Sequence, residues 1–201
     1  MKPQKINLKT EDGEILKGAF YETNTDKCVL LLHQFSKNKE MWNELIKTII
    51  KHHSALAIDL RGHGESTRNY KDFKEKDFKN MKKDVETAIN FLLENKYEEQ
   101  NISIIGSSIG ANLAQNYSAA NTSDKTVLLS PGHNYKGIKI IIKETKALII
   151  VSEEDTYSYE TVKNIEEKCK KTNFVYLKNK GHGLSMLNKE IINSITLFLI
   201  G

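Results

Sequence analysis

The 201-residue chain contains two cysteines, two prolines and a single tryptophan. Cys28 lies in an apolar run and Cys169 in a charged stretch, so the pair supplies neither a disulfide framework nor a metal-ligand spacing. Neither a metal nor a cofactor is expected. Arginine is as scarce, with Arg61 and Arg68 the only two among 30 basic residues, set against 26 acidic ones. The lysines are scattered among glutamates and asparagines instead of forming a stripe, which argues against a nucleic-acid partner. No apolar run approaches the roughly 18 residues of a membrane span. The opening stretch MKPQKINLKT has no continuous apolar segment of the signal-peptide kind. An intracellular protein is the simplest expectation, with an exported form that has lost its leader as the alternative.

A hydrophobic fraction of 39% suffices for one core, and the expectation is one domain over residues 1–201. Eight short runs rich in β-branched and apolar residues read as strands: KINLKT, ILKGAFYE, KCVLLLH, SALAIDL, NISIIG, KTVLLS, KALIIVS and FVYLKN. The first two alternate polar and apolar residues across the turn TEDGE and predict an antiparallel hairpin. The other six are continuously apolar, as strands covered on both faces are. Helical periodicity falls between them, at about 39–51, 77–95, 109–121, 157–171 and 185–200. Alternation of strand and helix predicts a mostly parallel eight-stranded sheet with helices on both sides.

GSSIG, residues 106–110, joins a predicted strand to a predicted helix and offers two serines. A nucleophile lifted out of a sheet on a tight strand-to-helix turn needs glycine two residues before it and two after it. Only Ser108 satisfies this, with Gly106 and Gly110; Ser107 is the spacer. The helix that begins there also points free backbone N–H groups, that of Ile109 among them, at an oxyanion formed beside Ser108. Alone the motif is weak, because a glycine-softened turn fits it equally well. The strand, turn and helix around it are the required context.

A serine hydroxyl needs a base and a group to orient that base. Asp155 lies three residues past Ser152, where KALIIVS ends, and His182 follows the last predicted strand between Gly181 and Gly183. The order Ser, acid, His is the one this architecture uses. EED offers three carboxylates, so Glu153 or Glu154 takes the place of Asp155 if the strand runs further. His52 and His53 read as solvated or interfacial residues at a helix end.

The chain resembles the α/β-hydrolase superfamily, in its compact dienelactone-hydrolase-like, serine-aminopeptidase-like and monoacylglycerol-lipase-like branch. The resemblance rests on the elbow, on DLRGHGES at 59–66, on LLHQFSKNKEMW after the third predicted strand, and on the ordered acid and histidine. It implies a nucleophile at Ser108, an acid at Asp155, a base at His182, and an oxyanion hole from the backbone N–H groups of Phe35 and Ile109. His33 is then expected to fix the oxyanion loop, with His63, Asp59 and Arg61 serving the RGHG turn. Gln34 departs from the family pattern, which has glycine after that histidine, and is expected either at the surface or offering its amide to substrate.

Only about sixteen residues separate Ser130 from Ala147, too few for the helical cap that family members insert there. An open, lidless site follows, rimmed by Gln34, Phe35, Trp42, Tyr135, Tyr157 and Leu184. The resemblance thus implies a carboxylesterase-like serine hydrolase of small esters, acting as monomer or homodimer. A thioesterase or small peptidase would use the same residues, and a non-catalytic scaffold is the alternative of a different class. A nucleotide-binding protein is set aside, since no G-x-x-x-x-G-K-[ST] is present and GSSIG lacks the third glycine of the dinucleotide fingerprint.

Overall fold

A computed structural model describes residues 1–201. Strands β1 (Gln4–Lys9) and β2 (Ile15–Tyr21) form the expected hairpin, pairing antiparallel with Leu8 opposite Leu16. Then follow β3 (Cys28–Leu32), helix α1 (Asn43–Ile49), β4 (Ser54–Ile58), helices α2 (Glu75–Lys79) and α3 (Lys82–Glu94), and β5 (Ile102–Ser107). Helix α4 (Ile109–Ala120), β6 (Thr126–Leu129), the two-residue strands β7 (Asn134–Tyr135) and β8 (Ile138–Lys139), and β9 (Ala147–Ser152) come next. The chain closes with α5 (Thr156–Lys168), β10 (Asn173–Leu177) and α6 (Lys189–Ile200).

The main sheet has eight strands in the order β1-β2-β4-β3-β5-β6-β9-β10. From β4 onward every pairing is parallel. This is the α/β-hydrolase fold. Alternation along each strand sends side chains to two cores. In β3, Cys28, Leu30 and Leu32 meet residues of α3, α4 and α5 on one face, whereas Val29 and Leu31 meet residues of α1 and α6 on the other. The strand sequence is therefore apolar throughout because both faces are covered.

Two expectations are refined. The helix predicted over 77–95 is two helices, broken at Asn80 and Met81 where Asn80, a weak helix former, ends α2. The segment after β6 folds into the hairpin of β7 and β8, too short to show as a strand pattern. Helix α4 grips this segment through three amide side chains. Asn112 Nδ2 donates to the Gly132 and Ile138 carbonyls at 2.7 and 2.9 Å. Gln115 Nε2 donates to the Lys143 carbonyl at 3.0 Å, and Asn116 Nδ2 to that of Lys139 at 2.8 Å.

Candidate active site

Ser108 is the hinge between β5 and α4, and its backbone stands at φ 55° and ψ −118°. A side-chain-bearing residue rarely adopts that conformation. The glycines around it are sterically required. A Cβ on Gly106 would lie 2.1 Å from the Gly110 carbonyl oxygen, and one on Gly110 would lie 2.3 Å from the Leu32 carbonyl oxygen. Without side chains at both places, α4 folds back against β5 and the end of β3. Ser107 points elsewhere: its Oγ donates to Gln34 Oε1 at 3.1 Å.

Asp155 follows β9 and His182 follows β10, adjacent parallel strands of the sheet. Their side chains meet, with His182 Nδ1 2.7 Å from Asp155 Oδ2. Burial pushes the Asp155 carboxyl up, but the His182 bond and charge, helped by the hydroxyls of Ser130 and Ser158, hold it below the usual range. Asp155 is thus a carboxylate that accepts the Nδ1 proton, which leaves Nε2 of His182 free to act as a base. The neighbouring acids do other work. Glu154 accepts hydrogen bonds from the Asn179 and Gly181 N–H groups at 2.9 and 2.8 Å, which lowers its pKa to about 2 and ties the His182 loop to the end of β9. Glu153 is exposed, 3.9 Å from Lys178.

Ser108 and His182 face one cavity of about 630 Å³, shared with Gln34, Phe35, Ile109, Asn134, Tyr135, Lys136 and Tyr157. No hydrogen bond joins Ser108 Oγ to the His182 ring, although both side chains belong to this one cavity. Phe35 and Ile109, whose N–H groups are the expected oxyanion donors, both line this cavity. The N–H of Phe35 has no acceptor in the protein, and that of Ile109, first residue of α4, has no intrahelical one.

The loop bearing Phe35 is fixed from two sides. His33 is fully buried, and its Nε2 accepts the Leu60 N–H at 3.0 Å, so Nδ1 carries the proton and donates to the Gln34 carbonyl at 2.8 Å. Burial lowers the His33 pKa to about 4, keeping the ring neutral. Gln34 Oε1 accepts both the Ser107 hydroxyl and the Leu184 N–H, the latter at 2.8 Å, so its side-chain carbonyl ties the Phe35 loop to the His182 loop. Below, Asp59 accepts the Lys39 N–H and Nζ, each at 2.7 Å, and fills the space where Gly64 lacks a side chain. Buried Arg61 pairs with Asp84 through Nε at 2.7 Å and with Asp12 through its outer nitrogens at 2.8 and 3.0 Å. His63, also buried, stacks on Tyr70.

Two residues expected at the rim lie elsewhere. Trp42 is fully buried and Leu184 nearly so, and both pack in the core beneath α1 and α6, on the opposite face of the sheet from α4. Each sits in a short 3-10 turn, Lys39–Trp42 and Gly183–Met186, that directs its side chain inward. His53 is likewise buried, whereas its neighbour His52 is exposed. Conversely, Asn134, Lys136 and Ser130 escaped sequence reasoning. Ser130 ends the run KTVLLS, and its Oγ accepts the Gly183 N–H at 2.9 Å.

Among solved structures, an esterase from Pyrococcus furiosus superposes with a TM-score of 0.81 at 18% identity, covering 99% of this chain and 92% of that one. A thermophilic esterase from Thermogutta terrifontis gives 0.77 at 16% identity over 98% of each chain. At such identities the likeness shows the fold alone. A monoacylglycerol lipase of Xenopus laevis is 28% identical over 123 residues, 60% of this chain and 35% of its own length. The chain spans between 27% and 39% of the length of the curated relatives it matches. Residues 23–165 match the family described as serine aminopeptidase, S33; that match takes in well over half of the chain with Ser108 and Asp155 inside it, and the chain therefore belongs to this family of α/β-hydrolases.

Proposed function

We propose that the chain is a carboxylesterase-like serine hydrolase of small carboxylic esters, with Ser108, His182 and Asp155 as its triad. The observation that carries the reading is the grouping of a strained serine, two free N–H donors and an aspartate-bound imidazole on one cavity.

As substrate enters, Ser108 Oγ attacks the ester carbonyl carbon and His182 Nε2 takes the hydroxyl proton. Asp155 holds the ring and stabilises its cationic form. The carbonyl oxygen becomes an oxyanion and accepts the N–H groups of Phe35 and Ile109, each worth on the order of 10²–10³ in rate. Collapse expels the alcohol, protonated by His182, and leaves an acyl-serine. A water deprotonated by the same ring then releases the acid.

Thioesters and amides call on the same residues. The family name points to an aminopeptidase, which has to hold a substrate ammonium. Here the cavity has no carboxylate along its lining, and its basic residues are Lys136 and His182. Ester cleavage is therefore the favoured reading.

The test is turnover of p-nitrophenyl esters from acetate to laurate. Short chains should be cleaved fastest, Ser108→Ala should be inactive, and Asp155→Asn should lose about 10³–10⁴ in kcat. No turnover together with no fluorophosphonate labelling of Ser108 would make the chain a non-catalytic scaffold.

A further inference from the structure

Lys136 occupies a place in the cavity that the proposed triad does not explain. It forms, with Gly137, the two-residue turn of the β7–β8 hairpin, where Tyr135 faces Ile138. Both turn residues have positive φ, 52° and 88°. Turns of this kind favour asparagine or glycine at the first position, so a lysine there sits against local preference. Such a departure points to a role for the side chain.

The ammonium lies 5.1 Å from the centre of the Phe35 ring and 6.0 Å from that of Phe78. An aromatic face holds a cation weakly at an exposed site and gives it up to an anion. No carboxylate competes: no acidic oxygen lies within 4 Å of its Nζ. Glu75 packs beside Gly137, but its carboxylate is paired with Lys79 at 2.5 Å. Asp155, on the far side of His182, is engaged by the imidazole. The cavity thus sets one unpaired lysine among Gln34, Asn134, His182 and aromatic rings, with no carboxylate in its lining.

We infer that Lys136 is a specificity-determining residue and that the preferred substrates are small esters carrying a carboxylate elsewhere in the molecule. The inference rests on the ester reading for turnover, but not for binding. A substrate carboxylate draws the ammonium from the Phe35 ring and fixes the ester against the oxyanion donors, so the effect falls mainly on KM and weakens with salt.

Two measurements with monoethyl and diethyl succinate separate the outcomes. By titration calorimetry, Ser108→Ala should bind the monoester about five- to tenfold more tightly than the diester, and adding Lys136→Asn, which suits the turn, should erase that ratio. In turnover by the unaltered enzyme the same ratio should appear in kcat/KM and shrink towards unity in ~0.5 M salt. Equal binding of the two esters, or a preference that survives Lys136→Asn, overturns the inference. Tighter binding of the monoester with no cleavage of either compound would sustain it and overturn the ester reading instead.

Discussion

Replacing Ser108 by glycine should abolish activity and make the protein more stable. At φ 55° and ψ −118° the serine holds a backbone conformation in which any Cβ is crowded. Strain of this sort costs about 1–3 kcal/mol. Glycine relieves it but loses more backbone freedom on folding, a penalty of about 0.5–1 kcal/mol. The net gain is about 0–2.5 kcal/mol, near 1 kcal/mol at the middle of both ranges. With an unfolding entropy near 2.1 cal/mol/K per residue, the 201 residues give about 0.4 kcal/mol/K, so Tm should rise by up to about 6 °C. Ser108→Ala is the control, since it deletes the same hydroxyl yet keeps the Cβ. It should melt within about 1 °C of the unaltered protein. Calorimetry on both variants, with fluorophosphonate labelling to confirm loss of the nucleophile, reads the difference directly. A glycine variant that melts with the alanine variant or below it would show that the elbow stores no strain.

Gln34→Leu removes the acceptor shared by Ser107 and the Leu184 N–H, and should cost about 1–3 kcal/mol in urea unfolding. Because it also uncouples the oxyanion loop from the His182 loop, kcat should fall tenfold or more with little change in KM; a purely structural loss would leave kcat unchanged. Asp12→Asn weakens the pair with Arg61, whose bonds hold the Asp12 carboxyl far below its ordinary 3.8. A lowered folded-state pKa gives stability that is complete above pH ~3.8 and fades as pH falls below it. The gap between the two proteins should be about 1–2 kcal/mol at pH 6–8 and close below pH ~4. A gap that widened on acidification would refute the assignment.

The sheet was legible because each strand is a run of apolar residues between polar turns, a signal that needs no tertiary information. Gly106, Ser108 and Gly110 were legible for a related reason: steric demands two residues apart are written locally. Trp42 and Leu184 misled, because an aromatic or apolar residue near a loop reads as rim or core until the 3-10 turn that carries it is known. The Gln34–Leu184 bond spans 150 positions and leaves no local trace. Lys136 went unremarked because its importance comes from an empty neighbourhood, the lack of any carboxylate, which no linear pattern records.

The amides of Asn112, Gln115 and Asn116 join the wall of the cavity to the helix that Ser108 introduces. Wall and nucleophile thus hang on one helix, so a substitution that loosens these amides should disturb the lining of the cavity without touching Ser108 itself.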